Sequence, residues 1–176
     1  MTTRGKTSPA PETDPEPNPH DIARAIVLRQ LTMAPRSRRQ LEDKLRAKGC
    51  DDEVARVVLD RMQEVGLVDD EAYAGMVVRS QQAGRGLARR SLAQELRRKG
   101  VDDETAQEAL EQIDDESERD RAQALVTKKL RSMHGLDAAV QTRRLAGMLA
   151  RKGYPSALSW SVIRAAVSDA PEHQRD

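Results

Sequence analysis

Arginines recur at matched distances before three glycines, and no other arrangement of reactive side chains in this sequence repeats so regularly. Arg39, Arg90 and Arg143 each lie ten residues before Gly49, Gly100 and Gly153, and Arg46 and Arg97 lie three before the first two. The two offsets differ by seven residues, or about two helical turns, so on a helix each pair shares one face. Guanidinium groups bind phosphates and carboxylates through a fixed fork of donors. Three such faces in register predict a discontinuous basic track, which Arg98, Arg144 and Arg151 extend. The plainer reading is a set of solvated helix surfaces paired with nearby acids. Only Tyr73, Tyr154 and Trp160 supply aromatic rings, and a general single-strand binder normally adds stacking platforms. The track therefore suits phosphate contacts or an acidic protein partner better than base reading.

Other reactive groups point to structure rather than chemistry. Asp-Asp-Glu triplets begin at residues 51, 69, 102 and 114. Each stands where a helix is expected to start, and there an aspartate accepts backbone N–H bonds and opposes the positive end of the helix dipole. Capping is therefore expected instead of metal binding. Cys50 is the sole cysteine, which excludes an internal disulfide and argues against a cysteine-rich zinc site; it reads as a small apolar residue packing after a helix end. His20, His134 and His173 are far apart and read as solvent-facing. No nucleotide-binding, metal-hydrolase or nucleophile motif is present. The chain reads as a non-enzyme without a cofactor.

The elements that carry the arginines form an internal repeat. Two leucines four apart are followed by a lysine and a glycine: Leu41, Leu45, Lys48, Gly49; Leu92, Leu96, Lys99, Gly100; Leu145, Leu149, Lys152, Gly153. After each glycine, offsets five, nine, ten and thirteen hold Val54, Val58, Leu59, Met62; Thr105, Ala109, Leu110, Ile113; and Leu158, Val162, Ile163, Ala166. Such spacing places the apolar side chains on one helical face. A first helix is expected from Asp21, with Ile22, Ala25 and Ile26 on its apolar face, to about Met33 before Pro35. Ser37 and Gln40 form a capping box for a second helix closing at Gly49, and a third runs from Asp51 to Gly66. The second unit repeats this, with helices from about Asp70 through Val78, then a break at Gly84-Arg85-Gly86, then one to Lys99 and one from Asp102 to about Ile113. The third unit has helices from about Ser117 to Met133, to Lys152, and a last one with Pro155 in its first turn. The expected fold is all-α: three tandem three-helix repeats at residues 21–68, 69–114 and 115–168 in an elongated, curved monomeric array.

Composition agrees. The chain of 176 residues is 34% charged and 38% hydrophobic without phenylalanine, which suits helices better than sheets. Its net charge of +1 hides alternation. Residues 21–48 carry +5, 51–71 carry −6, 79–100 carry +6, 101–120 carry −9 and 121–153 carry +7. No apolar run is long enough to span a membrane, no secretory signal is evident, and a cytoplasmic protein is expected. Residues 1–20, with Pro9, Pro11, Pro15, Pro17 and Pro19 among acidic and small residues, are expected to be a disordered tail, and 169–176 a short C-terminal one.

The threefold Leu-x3-Leu-x2-Lys-Gly unit, together with Gly66-Leu67-Val68-Asp69-Asp70-Glu71-Ala72-Tyr73-Ala74, resembles the RecX family of bacterial RecA regulators over roughly residues 21 to 167. Met76 and Val77 stand where that family often has an aromatic residue, and the third unit is more divergent. The resemblance implies three three-helix modules that bind RecA filaments on DNA, single- or double-stranded, along their groove. It also implies inhibition of ATP hydrolysis, of strand exchange and of the co-protease activity behind the SOS response. Two readings from other classes remain, a stand-alone helix-turn-helix DNA binder and a helical-repeat scaffold. Acidic third helices and near-zero net charge weigh against the former.

Overall fold

A computed structural model describes residues 16–170, so the expected N-terminal disorder and C-terminal tail fall mostly outside that range, although Pro19 and His20, assigned to the tail, already lie in the first helix. The described residues form nine helices and no strand. Unit 1 comprises α1 (Pro19–Met33), α2 (Arg38–Ala47) and α3 (Asp52–Glu64). Unit 2 comprises α4 (Asp70–Arg85), α5 (Arg89–Arg98) and α6 (Asp103–Glu111), and unit 3 comprises α7 (Asp115–Arg131), α8 (Ala138–Arg151) and α9 (Ser156–Ser168).

The helices begin and end for local reasons. Ser37 and Gln40 close both halves of the capping box at α2. Asp51, Asp69, Asp102 and Asp114 each accept amide hydrogen bonds at the start of α3, α4, α6 and α7, so the acidic triplets are caps. Each middle helix buries its leucine pair completely: Leu41 and Leu45, Leu92 and Leu96, and Leu145 and Leu149 are at most 1% exposed. Three separate apolar cores follow, one per unit. The principal helix packing lies within units, and the third helix packs against both others of its own unit.

Several boundaries differ from the sequence expectation. Asn18 caps α1 through His20 N at 2.9 Å, and Asp21 lies inside the first turn. That helix buries Ala23 and Val27, whereas Ile22 and Ala25 face outward; its apolar residues define two possible faces, and α3 covers one of them. Helix α4 continues past Val78 and through Gly84 to Arg85. One interior glycine costs only about 1 kcal/mol, and the left-handed conformation that stops the helix falls at Gly86, φ 62°. Helix α7 starts at Asp115 instead of Ser117, because Asp114 is its cap. Pro155 occupies the N-cap of α9 and not its first turn.

The units join through their middle helices. The carboxyl end of α5 abuts the amino end of α2, where Ser37 Oγ donates to Lys99 O at 2.6 Å. The carboxyl end of α8 abuts the amino end of α5, where Ala88 N donates to Lys152 O at 2.9 Å. The three middle helices thus succeed one another head to tail, with dipole ends of opposite sign in contact. A glycine at each seat makes the approach possible. A Cβ on Gly100 would lie 2.5 Å from Arg39 Cβ, and one on Gly153 would lie 2.7 Å from Ser91 N. Gly49, at the open end of the row, has nothing within 4 Å of that position.

All three glycines adopt positive φ, so the seats separate backbone strain from steric fit. Gly49→Ala should lower stability by about 1–2 kcal/mol, the strain of the left-handed conformation. Gly100→Ala and Gly153→Ala should lose a further ~1–3 kcal/mol through overpacking. Urea titration of the three variants measures the difference, and equal losses would show that the seats are loose.

Candidate functional site

The head-to-tail row carries the predicted arginines, and the structure divides them into two groups. Arg39 lies 3.4 Å from Asp43, and Arg46 pairs with Asp43 and Asp52 at 3.3 and 3.4 Å. Arg97 pairs with Asp103 at 3.0 Å, and Arg98 with Glu95. These four are therefore paired with local acids. Arg90, Arg143, Arg144 and Arg151 are exposed and have no carboxylate within ion-pair distance among the described residues. Uncompensated positive charge therefore collects on α5 and α8. The structure brings Arg90 and Arg151 together at the rim of one groove, between the amino end of α5 and the carboxyl end of α8.

What holds this surface in place is a set of residues that the sequence reading passed over. Arg89, beside Arg90, faces inward to the next unit. Its amide donates to Glu118 Oε1 at 2.8 Å, its guanidinium reaches Glu118 Oε2 at 2.9 Å and Ile113 O at 3.2 Å, and it also binds Asp115. Glu118 is 2% exposed. The hydrogen bonds it donates to Asp115 and then Glu118 hold the Arg89 guanidinium in its charged form, above its ordinary pKa. At the first junction the matching residue, Arg38, crosses to the next unit through its amide alone. Its amide donates to Asp70 Oδ1 at 2.8 Å, and its guanidinium binds Asp60 and Glu42 at 2.8 and 3.2 Å. Burial raises the Asp70 pKa, and the hydrogen bond from the Arg38 amide opposes that rise. The signal was present in the sequence: arginine stands eleven residues before Gly49 and Gly100, but Thr142 holds that place before Gly153.

The Gly66–Ala74 stretch is a junction element as well. Asp69 caps α4 through Ala72 N at 2.9 Å, Asp70 reaches α2, and the Tyr73 hydroxyl donates to Gln40 Oε1 at 3.1 Å. At the second junction, Tyr154 spans units 2 and 3, its hydroxyl donating to Gly86 O at 3.0 Å, while Lys152 Nζ donates to Arg85 O. Burial pushes the Tyr154 pKa up to about 12, with Arg121 pulling it down and Glu118 raising it.

Cys50 packs partly buried against the unit 1 core, and its thiol pKa is raised by burial, then by Asp51 and Asp52, which disfavours the reactive thiolate. His134 is exposed, His20 is half-buried contrary to expectation, and His173 lies outside the described residues. Among the described residues no group of His, Cys, Asp or Glu could hold a metal ion, and no helix is long and apolar enough to cross a membrane.

Comparison with known proteins follows the same three-part division. Family profiles for the first, second and third three-helix domains of RecX match residues 23–62, 69–110 and 116–163. The "Regulatory protein RecX" of Streptomyces lividans is 48% identical over 166 residues, 94% of this chain and 88% of the relative. This chain belongs to the RecX family. The RecX of Thermobifida fusca (strain YX) is 48% identical over 83% of this chain and 80% of its own, and that of Mycolicibacterium smegmatis is 44% identical over 87% and 84%. The crystal structure of RecX from Lactobacillus salivarius superposes with a TM-score of 0.77 at 20% identity, covering 84% of this chain and 96% of that one. That likeness concerns the fold.

Two neighbouring arginines should respond in opposite ways. Arg89→Ala leaves the buried Glu118 carboxylate without a countercharge, held only by the residue 89 amide, and should destabilise the chain by about 3–5 kcal/mol. Arg90→Ala should change stability by less than ~0.5 kcal/mol. Chemical denaturation with circular dichroism compares them.

Tyr154 adds an alkaline limit. Its folded pKa of about 12 lies above the ordinary value of about 10 for an unfolded tyrosine. Its contribution is therefore complete below pH ~10 and is lost as pH rises toward 12, by up to about 1.4 kcal/mol per pH unit. Denaturation between pH 8 and about 11 should show wild type losing stability more steeply than Tyr154→Phe, a difference that vanishes if the phenol ionises freely in the folded state.

Proposed function

We propose that this chain is a non-catalytic regulator of RecA that binds RecA–DNA filaments with its row of middle helices and inhibits ATP hydrolysis, strand exchange and co-protease activity. The observation that carries this reading is the group of four uncompensated arginines on α5 and α8, in a chain whose family is that of the regulatory protein RecX. Arg90, Arg143, Arg144 and Arg151 meet phosphates first, since they give up no acid to do so. Arg39, Arg46, Arg97 and Arg98 exchange a local carboxylate for a phosphate and contribute less, because the gain is offset by the pair that is broken. In this reading the chain acts as a cytoplasmic monomer of three units, residues 21–68, 69–114 and 115–168, and DNA is contacted mainly within the filament.

A stand-alone major-groove reader is disfavoured by the acids that open α3 and α6, since their charge repels phosphate where a recognition helix would approach. A filament binder tolerates them, because a protein surface of opposite charge can receive them.

The test is a RecA ATPase and strand-exchange assay with the chain titrated in. Both activities should fall as the chain is added, and normal activity in its excess would end this reading. Arg143→Glu with Arg144→Glu should weaken filament binding by more than about tenfold and make the log–log salt dependence shallower by ~1.8, at about 0.9 for each duplex phosphate no longer neutralised. Arg46→Glu should have a smaller effect. Equal losses from the paired and unpaired arginines would show that net charge alone governs binding.

A further inference from the structure

The two junctions are built on one plan but differ in charge. At the first, Asp43 lies beside Arg39, and α6 opens with Asp102 and Asp103. The matched residues at the second are Gln94, Pro155 and Ser156. Helix α9, thirteen residues long, therefore starts with no acid in its first turn and no side-chain cap, so its first amides are left without an acceptor. Pro155 and Ser156, at that helix start, line the groove of about 590 Å³ that Arg90 and Arg151 also line. A volume of this size is ample for a small ligand.

An observation independent of this charge points to an occupant. Ser159 lines the same groove and is 6% exposed, yet its hydroxyl has no hydrogen-bond partner. The matched residues in units 1 and 2 are Ala55 and Ala106, buried to the same degree. A methyl group is thus enough to build the helix packing at this position. The extra oxygen in unit 3 is a buried donor, which is unfavourable until something accepts from it. Trp160 follows it, 48% exposed at the rim, where the other units carry Arg56 and Gln107. It is the only tryptophan in the chain.

We propose that this groove is a nucleotide subsite for single-stranded nucleic acid. Arg90, Arg151 and the amino end of α9 hold one backbone phosphate, and the adjoining base stacks on Trp160. The inference rests on the reading of the middle-helix row as a nucleic-acid-facing surface and adds to it a place where a base is engaged. An anion alone would satisfy the arginines and amides. An exposed indole beside them adds affinity for a flat ring, which a single strand presents and a duplex keeps stacked.

Because Trp160 is the sole tryptophan, its emission reports on the groove without any label and without RecA. Oligothymidylate of about twelve nucleotides, titrated into the full chain at low salt, should quench that emission saturably. Arg90→Gln combined with Arg151→Gln, both exposed and checked by circular dichroism, should weaken the titration at least about tenfold and make its log–log salt dependence shallower by ~0.7–1.4. Ser159→Ala, the residue that the other units already carry, should keep the fold and weaken binding several-fold. Trp160→Ala, followed by anisotropy of a fluorescent oligonucleotide, should lose affinity by at least about tenfold. No quenching, or quenching indifferent to the double variant, would overturn the proposal while leaving inhibition of RecA untouched. Equal quenching by thymidine monophosphate would assign the groove to free nucleotides instead, and equal quenching by an acidic peptide would reduce it to a general anion site; either result overturns the strand reading. Quenching as expected, with no effect of the chain on RecA, would retain the subsite and end the filament reading.

Discussion

The whole array depends on one close approach, that of the carboxyl end of a middle helix to the amino end of the middle helix before it. At Gly100 the chain passes so near Arg39 Cβ, and at Gly153 so near Ser91, that no side chain fits between. The left-handed turn that ends each helix supplies the same residue for a second reason, since glycine alone adopts it without strain. Helix termination and unit-to-unit docking are thus met by a single atom's absence. Once seated, the last carbonyl of one helix accepts a hydrogen bond from Ser37 Oγ or Ala88 N of the next, and the dipole ends meet with opposite sign.

Around this seat the junctions are polar, whereas the units are apolar inside. Glu118 buried against Arg89, Asp70 against the amide of Arg38, and Tyr154 against Gly86 O are directional bonds that fix an angle between neighbours. Their strength depends on geometry more than on area, because a buried charge separated from its partner is strongly unfavourable. The row of middle helices keeps its direction, and each unit retains its own core.

Charge is distributed along the row unevenly, in a way the net value of +1 conceals. Unit 1 neutralises Arg39 and Arg46 with Asp43 and Asp52 and exposes apolar side chains, among them Leu28, Val57, Val65 and Leu67. Unit 3 leaves Arg143, Arg144 and Arg151 uncompensated and drops the acidic cap from its last helix. The two ends of one repeat protein therefore present different surfaces to a partner, although they share a backbone plan.

The sequence by itself determined the repeat, the three cores and most caps, because these depend on short-range spacing: leucines four apart, an aspartate before α3, α4, α6 and α7, a glycine after each middle helix. It misjudged α4 because a glycine in a helix and a glycine ending one look alike in sequence, and only φ separates Gly84 from Gly86. It marked all eight candidate arginines alike, although Asp43 and Glu95 stand three or four residues from Arg39, Arg46 and Arg98 on the same helices; an acid from another element is not legible in that way. Asp103 on α6 answers Arg97 of α5, while nothing comparable reaches Arg90. Tertiary structure alone decided that Arg89 clamps the next unit while its neighbour stays free, and that Ser159 and Trp160 of α9 open on the groove that Arg90 and Arg151 line. Those relations join residues from different units, and periodicity within one helix carries no information about them.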